Sequence, residues 1–96
     1  TNDAALSIIA SAGDIILDPA GNNVLPGGDN ADDLGAADTR WRNVYTTDLQ
    51  LSNVDTGGNE VDGTEGNWTL QEGVDDIYMI NNITNKRYKI ALEEVD

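Results

Sequence analysis

The chain has 96 residues and a formal net charge of -13, with 18 acidic residues against 5 basic ones and no histidine, cysteine or phenylalanine. This composition excludes a disulfide framework, an ordinary zinc site and a Ser-His-Asp triad. A charge this negative repels phosphate backbones, so we expect no binding to nucleic acid. The apolar stretches are far too short for insertion into a membrane.

The supply of apolar side chains points to self-association. Hydrophobic residues make up 39% of the chain, but they are scattered between Gly, Asn and Asp. A chain this short buries a small fraction of its surface when it folds alone. We therefore expect copies of the chain to bury one another's apolar surface.

The N-terminal part predicts short strands separated by turns. Residues 6–10 and 14–18 are rich in β-branched side chains, which favours strands. Residues 19–23 combine Pro, Gly and Asn and are typical of a turn. Residues 24–25 are a third short strand.

The middle of the chain is less regular. Residues 27–38 are small and polar, as in a loop. Asp38 is a good N-cap residue, which predicts one short helical turn near residues 38–43. Residues 43–52 predict an extended segment, and residues 53–67, which are rich in Gly, Asp and Asn, predict a long surface loop.

The C-terminal part predicts a β-meander. Residues 68–71 and 77–81 form strands, residues 82–85 form a hairpin turn, and residues 86–92 form the return strand. Alternation places the larger apolar side chains on one face. These are Trp68, Leu70, Tyr88, Ile90 and Leu92.

Three stretches carry a resemblance to a known family. Residues 33–45, DLGAADTRWRNVY, resemble a segment that recurs in tail fibre and tailspike proteins of tailed bacteriophages. Residues 13–19, GDIILDP, are similar to repeats of the same fibres. Residues 66–73, followed by residues 76–82 and 86–89, resemble the closing module of marine-phage structural proteins. The resemblance implies a β-rich, trimeric fibre on the virion, outside the cell, that works in host attachment.

Together, pattern and resemblance predict an all-β protein of short strands with a C-terminal β-meander, in an elongated, intertwined homotrimeric fibre. We expect residues 1–37 to form an N-terminal fibre or β-repeat segment. Residues 38–66 hold a linker turn, an extended strand and a Gly/Asp-rich loop. Residues 67–96, the last twenty of which are neutral overall, form a β-meander subdomain.

The predicted partners are two further copies of the chain and a bacterial surface receptor, either a glycan or an outer-membrane component. Residues expected at the trimer interface are Ile8, Ile15, Leu17, Trp41, Leu49, Leu51, Trp68 and Ile90. Binding residues commonly lie on loops that a rigid framework holds in position. The loop residues expected to contact the receptor are Glu72, Gly73, Asp75, Asn82, Thr84 and Asn85.

Two alternative functions remain open at this stage. One is a fragment of a polysaccharide-degrading tailspike, but adjacent acids such as Asp75 and Asp76 point to opposite faces of a strand and make a poor catalytic pair. The other is a secreted, calcium-dependent bacterial adhesin. The acidic loops do not have EF-hand spacing, because a loop with Gly63 at its sixth position begins at Gly58. We expect no enzyme activity, no metal site and no cofactor.

Overall fold

Four β-strands and no helix make up the regular structure of residues 5–96, the part of the chain that this computed structural model describes. The strands are β1 (Asp48–Ser52), β2 (Asn67–Glu72), β3 (Ile77–Asn81) and β4 (Arg87–Lys89). They form an antiparallel sheet in the order β1-β2-β3-β4. The predicted all-β class and C-terminal β-meander are therefore confirmed.

The chain divides into two compact units, the first ending at Trp41 and the second covering Arg42–Asp96. The sheet lies in the second unit. Its first strand covers only the end of the extended segment predicted for residues 43–52. Its last strand is shorter than the predicted residues 86–92, although the Ile90 N–H continues the ladder by donating to the Ile77 carbonyl at 2.9 Å.

The strands predicted for residues 6–10, 14–18 and 24–25 are absent from the described structure, so this expectation was wrong. A strand needs a partner for its backbone N–H and C=O groups, and β-branched side chains do not supply one. The turn that follows is present. The Asn22 N–H donates to the Pro19 carbonyl at 2.9 Å, and Asn22 has a φ of 71°.

The helical turn predicted near residues 38–43 is also wrong. Ala36 and Thr39 instead exchange two backbone hydrogen bonds of 3.1 Å each, as in a small hairpin. Asp38 lies inside this tight turn and therefore does not cap a helix. Gly35, with a φ of 87°, starts the hairpin beside the Trp41 ring, which would be 3.3 Å from a Cβ at that position.

The two faces of the sheet differ in chemistry. Cross-strand neighbours share a face, and Leu49, Leu70, Met79 and Tyr88 lie in one row across all four strands. We call this side the apolar face; its apolar members are Leu49, Leu51, Trp68, Leu70, Ile77, Met79, Tyr88 and Ile90, and Glu72 and Asn81 lie at its two ends. The opposite side, the polar face, consists of Asp48, Gln50, Ser52, Asn67, Thr69, Gln71, Tyr78, Ile80, Arg87 and Lys89.

The sheet has no covered core. Among the described residues no hydrophobic side chain is buried, and Thr69 on the polar face is the most enclosed, at 6% exposure. Leu49 and Leu51 are 43% and 48% exposed. Trp68, Leu70, Ile77 and Met79 are only half-buried. A sheet of this kind normally packs its apolar side against another layer.

Candidate functional site

The apolar face is organised around an aromatic pair. The ring centroids of Trp68 on β2 and Tyr88 on β4 lie 5.6 Å apart, with a tilt of 46° between the rings. This is within the range in which aromatic pairs attract beyond simple burial. Trp68 also packs beside Gly66, where a Cβ would come within 3.2 Å of the indole nitrogen. The two contacts hold the largest side chain of the face in place.

A groove of about 280 Å³ lies next to this face. Leu49, Leu70 and Ile77 form part of its wall, and Val44 and Thr47 from the segment before β1 form another part. The Thr46 hydroxyl donates to the Asp48 carbonyl at 2.9 Å, which fixes the entry of this segment into the strand. The groove is mostly apolar and suits a hydrophobic side chain from another molecule.

On the polar face, a chain of side-chain hydrogen bonds joins β1, β2 and the residue that follows β3. The Thr69 hydroxyl donates to Gln50 Oε1 at 2.8 Å and accepts from Asn82 Nδ2 at 3.0 Å. The same amide also donates to Asn67 Oδ1 at 2.9 Å. Since Thr69 is nearly buried, this network satisfies a hydroxyl that would otherwise destabilise the sheet.

The predicted receptor-binding residues fall at opposite ends of the sheet. Glu72, Gly73 and Asp75 surround the turn between β2 and β3, which is closed by the bond from the Gly73 N–H to the Asp76 carbonyl at 2.8 Å. The remaining three surround the next turn along the chain; these are Asn82, Thr84 and Asn85. Strands of five or six residues are about 17–20 Å long. The two groups therefore do not form one patch.

The turn between β3 and β4 is held by its own polar side chains. Asn81 Oδ1 accepts from the N–H groups of Ile83 and Thr84 at 3.0 and 3.2 Å. The Asn85 N–H donates to the Asn81 carbonyl at 2.8 Å, and Asn85 has a φ of 63°. Ile83 at the tip is 60% exposed. The turn thus presents an apolar tip on a well-defined backbone.

The loop between β1 and β2 leaves the same end of the sheet and is held by hydrogen bonds among its own residues. Asn59 Oδ1 accepts from the N–H groups of Val61 and Asp62, and its Nδ2 donates to Asp62 Oδ1 at 2.8 Å. The Thr64 hydroxyl also donates to that carboxylate at 2.8 Å. Hydrogen bonds from the backbone and hydroxyl of Thr64, then from Asn59, hold the pKa of Asp62 below its ordinary value.

Asn53 joins the two ends of this loop by bonding to Gly66. Its N–H donates to the Gly66 carbonyl at 3.1 Å, and its Oδ1 accepts from the Gly66 N–H at 2.6 Å. Further out, Glu65 accepts from the Gly57 N–H at 3.0 Å. Hydrogen bonds from the backbone of Asp55 and Gly57 lower the pKa of Glu65. The predicted surface loop is therefore a structured element.

The predicted interface residues occur in both units. On the sheet, Leu49, Leu51, Trp68 and Ile90 all belong to the apolar face. In the first unit the remaining four are well exposed, and their exposed fractions are Ile8 65%, Ile15 50%, Leu17 62% and Trp41 62%. Each of the eight is therefore accessible in a single chain, as an interface residue must be.

Sequence reasoning missed the loop network and one glycine contact. The spacing of Asn59, Asp62 and Thr64 is the usable signal, because Asn and Asp accept from N–H groups two residues ahead in turns. On the polar face, the Tyr78 ring lies over Gly73, where a Cβ would come within 2.7 Å of it. Nothing in the sequence indicates this contact before the register is known.

Two classes of site are not found in the described part of the chain. Residues 5–96 contain no group of three or more acidic side chains placed to hold a metal ion. Within the same range, the structure has no helix of the length and apolarity needed to cross a bilayer. Comparison with protein-family models, curated proteins and solved structures finds no match to this chain.

Proposed function

We propose that this chain is a structural and adhesive module of a phage-type tail fibre, which assembles as a homotrimer and attaches the virion to a bacterial surface. The carrying observation is that no hydrophobic side chain is buried among the described residues, although the chain contains a regular sheet with one apolar face. A sheet of this kind is stable when other chains cover it.

Exposed apolar side chains in both units support assembly. Leu49 and Leu51 on the sheet are 43% and 48% exposed, and Ile8 and Leu17 in the first unit are 65% and 62% exposed. Contact between copies of the chain would remove this apolar surface from water, which is favourable.

The resemblance to phage fibres supports both the threefold number and the attachment role. Its most specific part, residues 33–45, includes the small hairpin that brings the Trp41 ring against Gly35. The contact between the Trp41 ring and Gly35 gives this segment a defined shape. A segment of defined shape suits repeated contacts between neighbouring subunits of a fibre.

Receptor binding is proposed at the end of the sheet that carries Asn82, Thr84 and Asn85. The ordered loop of residues 53–66 leaves the same end, and the Asn82 N–H joins the two by donating to the Asn67 carbonyl at 2.8 Å. Rigid neighbouring loops lose little entropy on binding. The turn with Glu72, Gly73 and Asp75 lies at the other end and serves as the internal comparison.

Adsorption of the fluorescently labelled chain to a panel of bacterial strains tests the proposal. Ile83→Ser and Val74→Ser change an exposed apolar residue at the tip of each turn, 60% and 100% exposed, without touching the sheet. We expect Ile83→Ser to reduce adsorption about tenfold or more and Val74→Ser to leave it unchanged. Adsorption that survives both changes, on a strain that binds the parent chain, contradicts the proposed receptor end.

The threefold state is tested separately by light scattering. We expect about three times the 10.3 kDa of one chain at micromolar concentration. Since every copy carries a charge of -13, dissociation is expected to increase in 10 mM salt, where the screening length is about 30 Å instead of about 8 Å. A stable single chain under both conditions contradicts the trimer.

A further inference from the structure

We propose that the Asp62–Gly63 bond is a site of spontaneous backbone modification, at which aspartate is converted to isoaspartate far faster when the loop between β1 and β2 is open than when it is closed. The inference concerns the chemistry of the loop and does not depend on the proposed function. It combines one dipeptide of the sequence with the hydrogen bonds that surround it in the structure.

The sequence concentrates this reaction at one bond. Asp62 is the only aspartate of the chain that is followed by glycine, and no asparagine is followed by glycine. In the reaction, the backbone nitrogen of the following residue attacks the side-chain carboxyl carbon of the aspartate. Glycine has no side chain to obstruct that approach, and its backbone adopts strained angles at low cost.

The conversion needs water alone as its co-reactant. The Gly63 nitrogen forms a bond to Asp62 Cγ, and the carboxyl hydroxyl leaves as water together with the proton of the amide, which closes a succinimide ring. Water then adds to one of the two ring carbonyls. Addition at the main-chain carbonyl breaks its bond to nitrogen, so that the chain now runs to Gly63 through Cγ. The product is isoaspartate, with no change in mass.

In the closed loop, three hydrogen bonds hold the carboxylate of Asp62. Its Oδ1 accepts from the Thr64 N–H at 3.1 Å, from the Thr64 hydroxyl at 2.8 Å and from Asn59 Nδ2 at 2.8 Å. These bonds, with those from Thr64 the strongest, lower the pKa of Asp62 and keep the group ionised. An ionised carboxylate is a poor electrophile, because it has no neutral hydroxyl group that can leave.

The attacking nitrogen is also engaged in the closed loop. The Gly63 N–H donates to the Asn59 carbonyl at 3.1 Å, although the nitrogen must release this proton in the reaction. The Asn59 N–H in turn donates to the Thr64 carbonyl at 3.0 Å. Gly63 also lies directly against Gly58, where a Cβ would collide with the Gly63 carbonyl. Movement of the Gly63 peptide towards the carboxyl group therefore requires local opening of the loop.

Incorporation of a heavy oxygen isotope from water measures the reaction. The full chain is incubated at neutral pH in isotope-enriched water, with and without urea, and its peptides are then analysed by mass spectrometry. Each ring that forms and reopens places one heavy oxygen at Asp62, and fragmentation identifies the isoaspartyl product. We expect incorporation at Asp62 to be about tenfold or more faster in urea than in buffer. Asp55, in the same loop but followed by threonine, is the internal control and should incorporate far less.

Two threonines of the loop provide a matched pair of variants. Thr64→Val removes the hydroxyl that donates to Asp62, whereas Thr56→Val removes a hydroxyl that donates to the Asn53 carbonyl at 2.6 Å. We expect Thr64→Val to raise the rate in buffer about fivefold, as for the loss of one hydrogen bond, and Thr56→Val to leave it unchanged. In urea the parent chain and both variants should react at the same rate.

Each other outcome overturns a stated part of the proposal. Absence of incorporation at Asp62 in urea overturns the modification site itself. Equal rates in buffer and in urea for the parent chain overturn the control of the site by the closed loop. An equal rise for Thr64→Val and Thr56→Val overturns the protective role of the hydrogen bond between Thr64 and Asp62.

Discussion

The two units of this chain contain similar apolar residues but have different structures. Residues 5–41 are rich in Ile, Leu and Val, yet their pairing is limited to the bridge between Ala36 and Thr39. Residues 42–96 form a four-stranded antiparallel sheet. In the described structure, segments of high β-propensity form strands only where a second strand lies beside them to pair with. In the second unit, short turns return the chain directly beside the strand it has just formed.

The same comparison applies to burial. The first unit exposes apolar side chains along its length, including Ile9 and Ile16 at 84% each, whereas the sheet leaves its apolar residues half-buried on one face. If the chain is a trimer, the first unit gains most from assembly, because it has fewer contacts of its own. Changes in the two units therefore test different steps of folding.

The largest effect is expected from Ile15→Asp. If Ile15 is buried between copies, its replacement leaves an unpaired charge in the interface, which costs about 3–5 kcal/mol per chain. Light scattering should then show dissociation of the assembly. If the first unit lies outside the interface, the change costs less than about 0.5 kcal/mol. That result would remove Ile8, Ile15 and Leu17 from the proposed interface.

Trp68→Ala should have the next largest effect. It removes the aromatic contact with Tyr88 and the packing on Gly66, at a cost of about 3 kcal/mol in a covered face. Thr47→Ala is the control, with an expected change within about 0.5 kcal/mol. Both are measured by urea unfolding at fixed protein concentration. Equal unfolding midpoints for the two variants would mean that the apolar face stays uncovered.

Gly58→Ala tests the loop and has a matched control in its neighbour. Gly57 and Gly58 have φ values of 99° and 100°, so alanine is strained at either position. A Cβ at Gly58 would also collide with the backbone of Gly63, whereas one at Gly57 would meet nothing. We expect thermal unfolding to show a loss of about 1 kcal/mol for Gly57→Ala and about 3 kcal/mol for Gly58→Ala. Equal losses would show that the backbone of Gly63 can move away from position 58 at little cost.

The smallest effect is the response of the loop to acid. The lowered pKa of Asp62 means that its hydrogen bonds stabilise the loop fully above the ordinary value of 3.8 and are lost as pH falls through the lower folded value. Amide exchange at Thr64 should therefore accelerate below about pH 4 relative to amides of the sheet. Asp62→Asn keeps the acceptor oxygen without the titration. The variant should lack this pH dependence, and its persistence would assign the effect to Glu65.

The sequence pattern was sufficient to predict an element wherever residues close together in the chain determine its structure. The sequence predicts β3 at its observed bounds, because apolar Ile77 and Met79 alternate between two turns, and it places Trp68, Leu70 and Tyr88 on one face. It fails at residues 6–10 and 14–18, where strand formation depends on a partner that pattern does not reveal. It also fails at Asp38, since N-cap chemistry and a tight turn favour the same residue.

Part of the candidate site could also be predicted from the sequence, and part of it could not. Alternation identifies the members of the apolar face, because side-chain direction follows from position in a strand. The separation of Glu72 from Asn82 depends on topology, since consecutive hairpins lie at opposite ends of an antiparallel sheet. The network of Asn59, Asp62 and Thr64 depends on a loop geometry that composition alone does not specify.

The junction of Asn53 with Gly66 has a consequence for variation of the protein. Three hydrogen bonds join this position to the far side of the loop: two with Gly66 and one, at 3.3 Å, from Asn53 Nδ2 to the Thr64 carbonyl. Because these bonds close the base of the loop, we expect changes in the segment between them to leave the register of β1 and β2 unchanged, even where they destabilise the loop itself. The loop is thus a place where a foreign peptide can be inserted while the sheet keeps its strand pairing.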